Sequence, residues 1–280
     1  MRITCWGARG SIPVSGKEYV KYGGDTTCIE IRSKDDDVII IDAGTGMRKL
    51  GNKLLASDKR VYNVLFTHAH WDHLMGFPFF KPIYMKGTRI SMYGCPYAQA
   101  SIKDILAKSM TAPYFPVEFS QLQAEITSHG VCEGSFTIGP VRIDPIQLNH
   151  PNQGQGYKFT EDGKSFVFLT DNELSLRHNG GAEYRDYVRF AEGADLLIHD
   201  SEYTEAQYKM TKGWGHSVYT DALRLALDAG VGQFGLFHHN QERSDAELDQ
   251  MVDDCRGIVH KENKQVRCFA AQAGMEIDLS

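Results

Sequence analysis

The sequence predicts an α/β fold, an αββα sandwich in which two mixed sheets pack face to face beneath outer helices. Three observations predict it. Short apolar runs of strand length recur along the chain, helical patterns alternate with the later runs, and five runs end in His or Asp.

Ile3–Trp6 and Cys28–Ile31 open the series as strands. Val38–Ile41 and Val61–Phe66 follow, apolar enough to be buried on both faces, with a helix over Met47–Ala56 between them. Arg89–Tyr93 is a strand, Gln99–Ser109 a helix, and Val141–Leu148 another strand. Phe166–Leu169, Leu196–Ile198 and Phe234–Phe237 repeat the pattern of core strands, and Gln265–Ala270 closes it. Ser217 is placed to cap a helix over Val218–Ala229, which Gly230 stops. Ser244-Asp245-Ala246-Glu247 fits a capping box opening a helix to about His260.

No repeat, low-complexity tract or linker interrupts the 280 residues, so one domain over 1–280 is expected. A net charge of −6 argues against a protein that grips long nucleic acid by neutralising phosphates. Small anionic substrates remain open, because bound cations can supply positive charge locally. Met1–Trp6 lacks the apolar stretch of a signal peptide, and no segment approaches a membrane span in length. A cytoplasmic protein without membrane contact is expected. The six cysteines form no CxxC pair and are read as buried free thiols rather than disulfides.

Thr67-His68-Ala69-His70-Trp71-Asp72-His73 carries the most chemistry, because four candidate ligands fall within six residues directly after an apolar run. His68 and His70 project to one side of an extended segment, whereas Asp72 and His73 follow where the chain turns away. One metal rarely needs four ligands from one loop; two metals about 3.5–4 Å apart with a shared water do. Further His and Asp residues end the core strands: Asp42, Asp171, His199-Asp200 and His238-His239. Such ends gather at one rim, where α/β folds place their sites. Taken singly, His150 fits a turn before Pro151, Asp171 a turn before Asn172, and His239 rivals His238. Asp42 is either a turn residue before Ala43-Gly44 or a hydrogen-bond partner that orients a ligand imidazole.

His68-Ala69-His70-Trp71-Asp72-His73 followed by His150, Asp171 and His238 resembles the HxHxDH…H…D…H series of the metallo-β-lactamase superfamily. The resemblance implies that His68, His70 and His150 hold one metal. Asp72, His73 and His238 hold the other, and Asp171 bridges them. Imidazole and carboxylate ligands suit Zn²⁺ and tolerate Mn²⁺ or Fe²⁺. His70 stands where flavodiiron-type members carry Glu, which favours hydrolysis over redox chemistry. Asp171 replaces the thiolate of true β-lactamases, so antibiotic hydrolysis is set aside.

Leu197–Tyr203, Gly213-Trp214-Gly215-His216-Ser217 and Leu236–His239 are similar to the branch holding transfer-RNA 3′ endonucleases and cyclic-nucleotide phosphodiesterases. That likeness makes His216 the general acid, paired with Asp200 where the endonucleases usually carry Glu. Asp72 joins these two as a catalytic residue. Such an acid protonates the departing alkoxide and typically contributes about 10²–10⁴-fold. Three substrate contacts are expected: Arg9 to a phosphate, Trp214 stacked on a base, and Ser217 at a helix N-terminus that favours anions. Arg9 has the alternative of a carboxylate partner, and Trp214 of a core position. The reading is therefore a dinuclear hydrolase of a small nucleotide, with a 3′,5′-cyclic one as first candidate, without long nucleic acid. A homodimer is implied by family likeness alone. The alternatives are a lactone or thioester hydrolase using the same metals, and a metal-bearing nucleotide sensor without turnover.

Overall fold

Strands of strictly apolar sequence need two dry faces, and the architecture supplies them. The computed structural model describes residues 1–95 and 101–279. One sheet contains β1 (Arg2–Gly7), β2 (Cys28–Arg32), β3 (Val38–Ile41), β4 (Val61–Leu65), β5 (Arg89–Gly94) and β6 (Glu125–Gly130). The other contains β7 (Phe136–Ile138), β8 (Val141–Gln147), β9 (Gln155–Glu161), β10 (Lys164–Leu169), β11 (Leu196–Asp200), β12 (Gln233–Phe237) and β13 (Arg267–Ala270). β14 (Glu276–Asp278) returns to pair with β1. The orders are β14-β1-β2-β3-β4-β5-β6 and β13-β12-β11-β10-β9-β8-β7.

Both sheets are mixed in the same way. In the first, β3, β4, β5 and β6 run parallel and the remaining pairings are antiparallel. In the second, β10 to β13 run parallel and β7 to β10 are joined antiparallel. Parallel neighbours end on the same side, which brings the carboxyl ends of β3, β4, β10, β11 and β12 to common edges.

Alternation along each strand builds three apolar layers. Ile39, Ile41 and Leu65 pack with Phe166, Phe168, Ile198 and Phe237 between the sheets. Val38, Ile40, Val64 and Met92 face outward onto α1 (Gly46–Leu55) and, beyond the short α2 (Trp71–Leu74), onto α3 (Ile102–Ser109). Val167, Leu169, Leu197 and Leu236 face the opposite side onto α4 (Tyr184–Ala191) and, past α5 (Glu205–Thr211), onto α6 (Tyr219–Ala229) and α7 (Asp245–Lys261). Helix, sheet, sheet, helix is the predicted sandwich.

Local differences from the sequence expectation have physical reasons. β6 is almost wholly exposed, so it carries no apolar run to find. β9 alternates Tyr157 and Phe159 with polar residues and joins β10 through Asp162-Gly163, both at positive φ. That Asp-Gly pair is a hairpin signal. The expected helix over Gln99–Ser109 is seen from Ile102, capped by Ser101; Gln99 and Ala100 lie outside the described residues. α7 has the expected capping box of Ser244 and Glu247, and Gly230 ends α6 at φ 65°. The free-thiol reading fails for one pair, since Cys95 and Cys132 form a disulfide. They follow the parallel neighbours β5 and β6, a proximity their spacing does not reveal. Cys5, Cys28, Cys255 and Cys268 are buried free thiols. Among the described residues no helix is long and apolar enough to cross a membrane.

Candidate metal centre

The strand ends deliver the site through unusual backbone. Asp42, Asp171 and His238 directly follow β3, by one residue β10, and β12, and adopt φ of 60°, 52° and 55°. Non-glycine residues visit this left-handed region rarely, and such conformations cluster where function requires a side chain to be aimed. His68 and His70 follow β4, and α2 carries Asp72 and His73.

Two groups form. His68, His70, His150 and Asp171 make one, and Asp72, His73, Asp171 and His238 the other; in each, one donor atom per residue lies within 4.8 Å of the rest. Asp171 belongs to both. Its Oδ2 is 3.5 Å from His68 Nε2, 3.3 Å from His238 Nε2 and 3.9 Å from His150 Nε2, and its Oδ1 is 3.3 Å from His73 Nε2. Asp72 Oδ2 lies 3.1 Å from both His73 Nε2 and His238 Nε2.

Whether cations fit is tested by unsatisfied nitrogens. His68 Nε2, His73 Nε2 and His150 Nε2 are buried and accept or donate no hydrogen bond, although carboxylate oxygens are near. Buried polar atoms are normally paired. Three orphaned imidazole nitrogens converging on one buried carboxylate fit a pair of divalent ions, and the N/O donor set suits zinc.

The opposite edges of the rings are fixed. His73 Nδ1 is 2.8 Å from Asp42 Oδ2, which also accepts from Thr67 Oγ1 at 2.8 Å. A carboxylate only accepts, so His73 carries its proton on Nδ1 and leaves Nε2 for a ligand. Asp42 thus fixes the His73 ring, which is the geometry the second alternative read from the sequence requires. His238 Nδ1 is held likewise by Glu202 Oε2 at 2.9 Å. Glu202 escaped the sequence reading; its signal was the alternation with Asp200, which places both acids on one side of the chain. Asn240 Nδ2 in turn donates to Glu202 Oε1 at 2.9 Å.

Charge follows the same division. Burial lowers His68 and brings His150 down to about 3, keeping them neutral as ligands must be. Burial acts the same way on His73 and His238, but Asp72, Asp171 and their other carboxylate partners outweigh it and raise both well above the ordinary value.

His216 stands next to this cluster. Its Nδ1 is 2.7 Å from Asp200 Oδ2 and 3.5 Å from Glu202 Oε2, and its ring stacks on His238 at 4.7 Å. Burial disfavours its charge, yet Glu202 and Asp200 outweigh burial and lift its pKa to about 9. Gly215 precedes it at φ 96°, where a Cβ would meet His150 Cδ2 at 2.4 Å. Gly215→Ala is expected to lose at least about 1–2 kcal/mol from the left-handed backbone alone and to displace His150. A lowered Tm together with reduced metal content checks this.

The structure revises two expected substrate contacts and exposes the third. Arg9 is fully buried, donating from Nε to Gly23 O at 2.9 Å and from Nη1 to Arg243 O at 2.6 Å and Asn240 O at 3.2 Å. It ties the amino-terminal loop to the segment after β12, and its Nη2, 3.8 Å from Asp245 Oδ1, is buried away from the ligand groups beside a carboxylate, the alternative partner. Arg9→Met is expected to lose about 3–5 kcal/mol, the range for removing one partner from a buried charged network, with KM unchanged. Thermal unfolding beside steady-state kinetics measures both. Ser217 is also buried; its Oγ donates to Asn172 O at 2.5 Å and accepts from Leu174 N at 3.1 Å. It therefore neither contacts substrate nor caps α6, which starts at Tyr219 after Val218. Trp214 is 63 % exposed. With Tyr203, Gln207, Met210, His216 and Asn240 it lines a pocket of about 440 Å³ beside the ligand groups.

A layered α/β sandwich with two His/Asp ligand groups sharing one carboxylate is the framework of a metal-dependent hydrolase. Residues 38–239 match the beta-lactamase superfamily domain, and the chain belongs to that family. Ribonuclease Z of Picrophilus torridus is 23 % identical over 298 residues, covering 92 % of this chain and 91 % of that protein. The metallo-beta-lactamase fold protein YhfI from Bacillus subtilis superposes with a TM-score of 0.71 at 19 % identity, covering 99 % of both chains. Human tRNase Z, short form, does so at 0.69 and 18 %, covering 100 % of both. Fold, site and relatives define a phosphodiesterase-type metal-dependent hydrolase. The relatives also overturn one expectation, that of a small nucleotide substrate without long nucleic acid. Proteins named ribonuclease Z align along nine-tenths of the chain. Net charge misled because it averages the whole surface, whereas a metal site sets the local field.

Proposed function

We propose that this chain is a two-metal phosphodiesterase that cleaves RNA in the manner of the ribonuclease Z proteins it resembles. The observation that carries the reading is His216, held protonated by Asp200 and Glu202 directly beside both ligand groups. His68, His70, His150 and Asp171 would hold one divalent ion, and Asp72, His73, His238 and Asp171 the other, with Zn²⁺ the first candidate. Such ions lower the pKa of water to about 7 and offset charge on phosphoryl oxygens. Ester hydrolysis in general needs no more than this.

A phosphodiester asks for one thing further, a proton for the departing alkoxide. His216 carries it on a ring fixed by Asp200 through Nδ1, which leaves Nε2 to donate. An acyl hydrolase has little use for that pair, and a sensor has none. Asp42 and Glu202 orient His73 and His238 through their Nδ1 atoms. Exposed Trp214 supplies a face on which a nucleobase stacks, an interaction worth about 1–3 kcal/mol per base.

The test is a parallel incubation of metal-loaded protein with a precursor transfer RNA, 3′,5′-cyclic nucleotides and a lactone. Cleavage of the RNA is expected. Hydrolysis of the cyclic nucleotides or the lactone with the RNA left intact would overturn the substrate reading, and binding without product would support a sensor.

A further inference from the structure

Two glycines flank Trp214 immediately before His216, both in left-handed backbone, Gly213 at φ 91° and Gly215 at φ 96°. Glycine in such a segment is costly to order because it has the most freedom to lose. Something outside the segment must hold it. The side chain that does so is Glu173, completely buried and two residues past the bridging Asp171.

Every lone-pair direction of this carboxylate is used. Oε1 accepts from Gly213 N at 2.8 Å and Tyr208 Oη at 2.6 Å. Oε2 accepts from Gly215 N at 2.9 Å and His178 Nε2 at 2.7 Å. Glu173's own N–H donates to Asn149 O at 2.9 Å, next to ligand His150. On either side of it, Asn172 O and Leu174 N close on Ser217 Oγ. The stretch after Asp171 is thus fastened to 213–217 at four points, two of them the glycine N–H groups.

We infer that Glu173 is a positioning residue for the proposed reaction, holding Gly213–His216 so that His216 and Trp214 keep their places beside the ligand groups. It touches neither ligand nor substrate pocket and acts through the backbone. The inference rests on the reading of His216 as the proton donor. A Gln in its place keeps one acceptor oxygen but turns an amide donor toward groups that themselves donate. Misplacing a reacting group by about 1 Å can cost about 10²-fold.

Leaving-group dependence separates this role from a merely structural one. A ribodinucleotide departs as an alkoxide that needs a proton, whereas bis(p-nitrophenyl) phosphate departs as a phenolate that does not. In metal-loaded full-length protein, Glu173→Gln is expected to lower kcat on the ribodinucleotide about 10- to 100-fold, with a much smaller change on the nitrophenyl diester and unchanged metal content. Tyr208→Phe removes one donor to Glu173, and is expected to give the same pattern more weakly even if Glu173→Gln does not fold. Equal losses on both substrates, or no loss on either, would overturn the inference. His216→Ala is the reference. If it lacks the selectivity, the reading of His216 fails; if it has it and the Glu173 and Tyr208 variants do not, the positioning role alone fails.

Discussion

Replacing His216 with Ala is expected to lower kcat on an unactivated phosphodiester by about 10²–10⁴-fold, the usual worth of a placed general acid. Metal content should be unchanged, because the ring belongs to neither of the two principal ligand groups. The loss should shrink on a diester whose leaving group needs no proton. A pH profile offers a second view of the same residue. The carboxylates of Glu202 and Asp200 outweigh burial and raise His216 to about 9, so the donor is protonated at neutral pH and activity falls as pH rises through its pKa. Bound cations push that pKa downward, so the alkaline limb should lie at or below about 9. Asp200→Asn, which removes the carboxylate 2.7 Å away, should move the limb to lower pH.

Asp171→Ala is expected to reduce activity to background and to release both cations. Among the described residues none shares its position, with oxygens 3.3–4.0 Å from five histidines. The substitution leaves those imidazoles facing a void where an anion stood. Breaking one partner out of a buried charged cluster typically destabilises by about 3–5 kcal/mol, so Tm should fall as well. Metal analysis and calorimetry on the purified variant measure both effects. Retention of two cations with wild-type turnover would show that Asp171 is no bridge.

The outline of the sandwich was legible because β3, β10 and β11 are buried on both faces and therefore uninterrupted in their apolar character. The ligand positions were legible for a related reason: a carboxylate or imidazole ending such a strand has no packing role there. What stayed hidden was set by contacts between segments distant in sequence. Glu202 and Glu173 look like ordinary acids after a strand, yet one supports His238 and the other the loop of His216. Arg9 is expected at a phosphate, and only folding shows it buried, with Nε and Nη1 donating to backbone carbonyls and Nη2 beside Asp245. Cys95 and Cys132 meet because β5 and β6 are parallel neighbours, a pairing no local pattern announces.

The central claim is a pair of cations shared through Asp171 and working together on a phosphodiester. Titrating metal-depleted protein with Zn²⁺ or Mn²⁺ while following hydrolysis of bis(p-nitrophenyl) phosphate tests it most directly. Activity that rises to a plateau at two equivalents per chain is the predicted result. A plateau at one equivalent, or full turnover in the metal-depleted protein, would contradict the account.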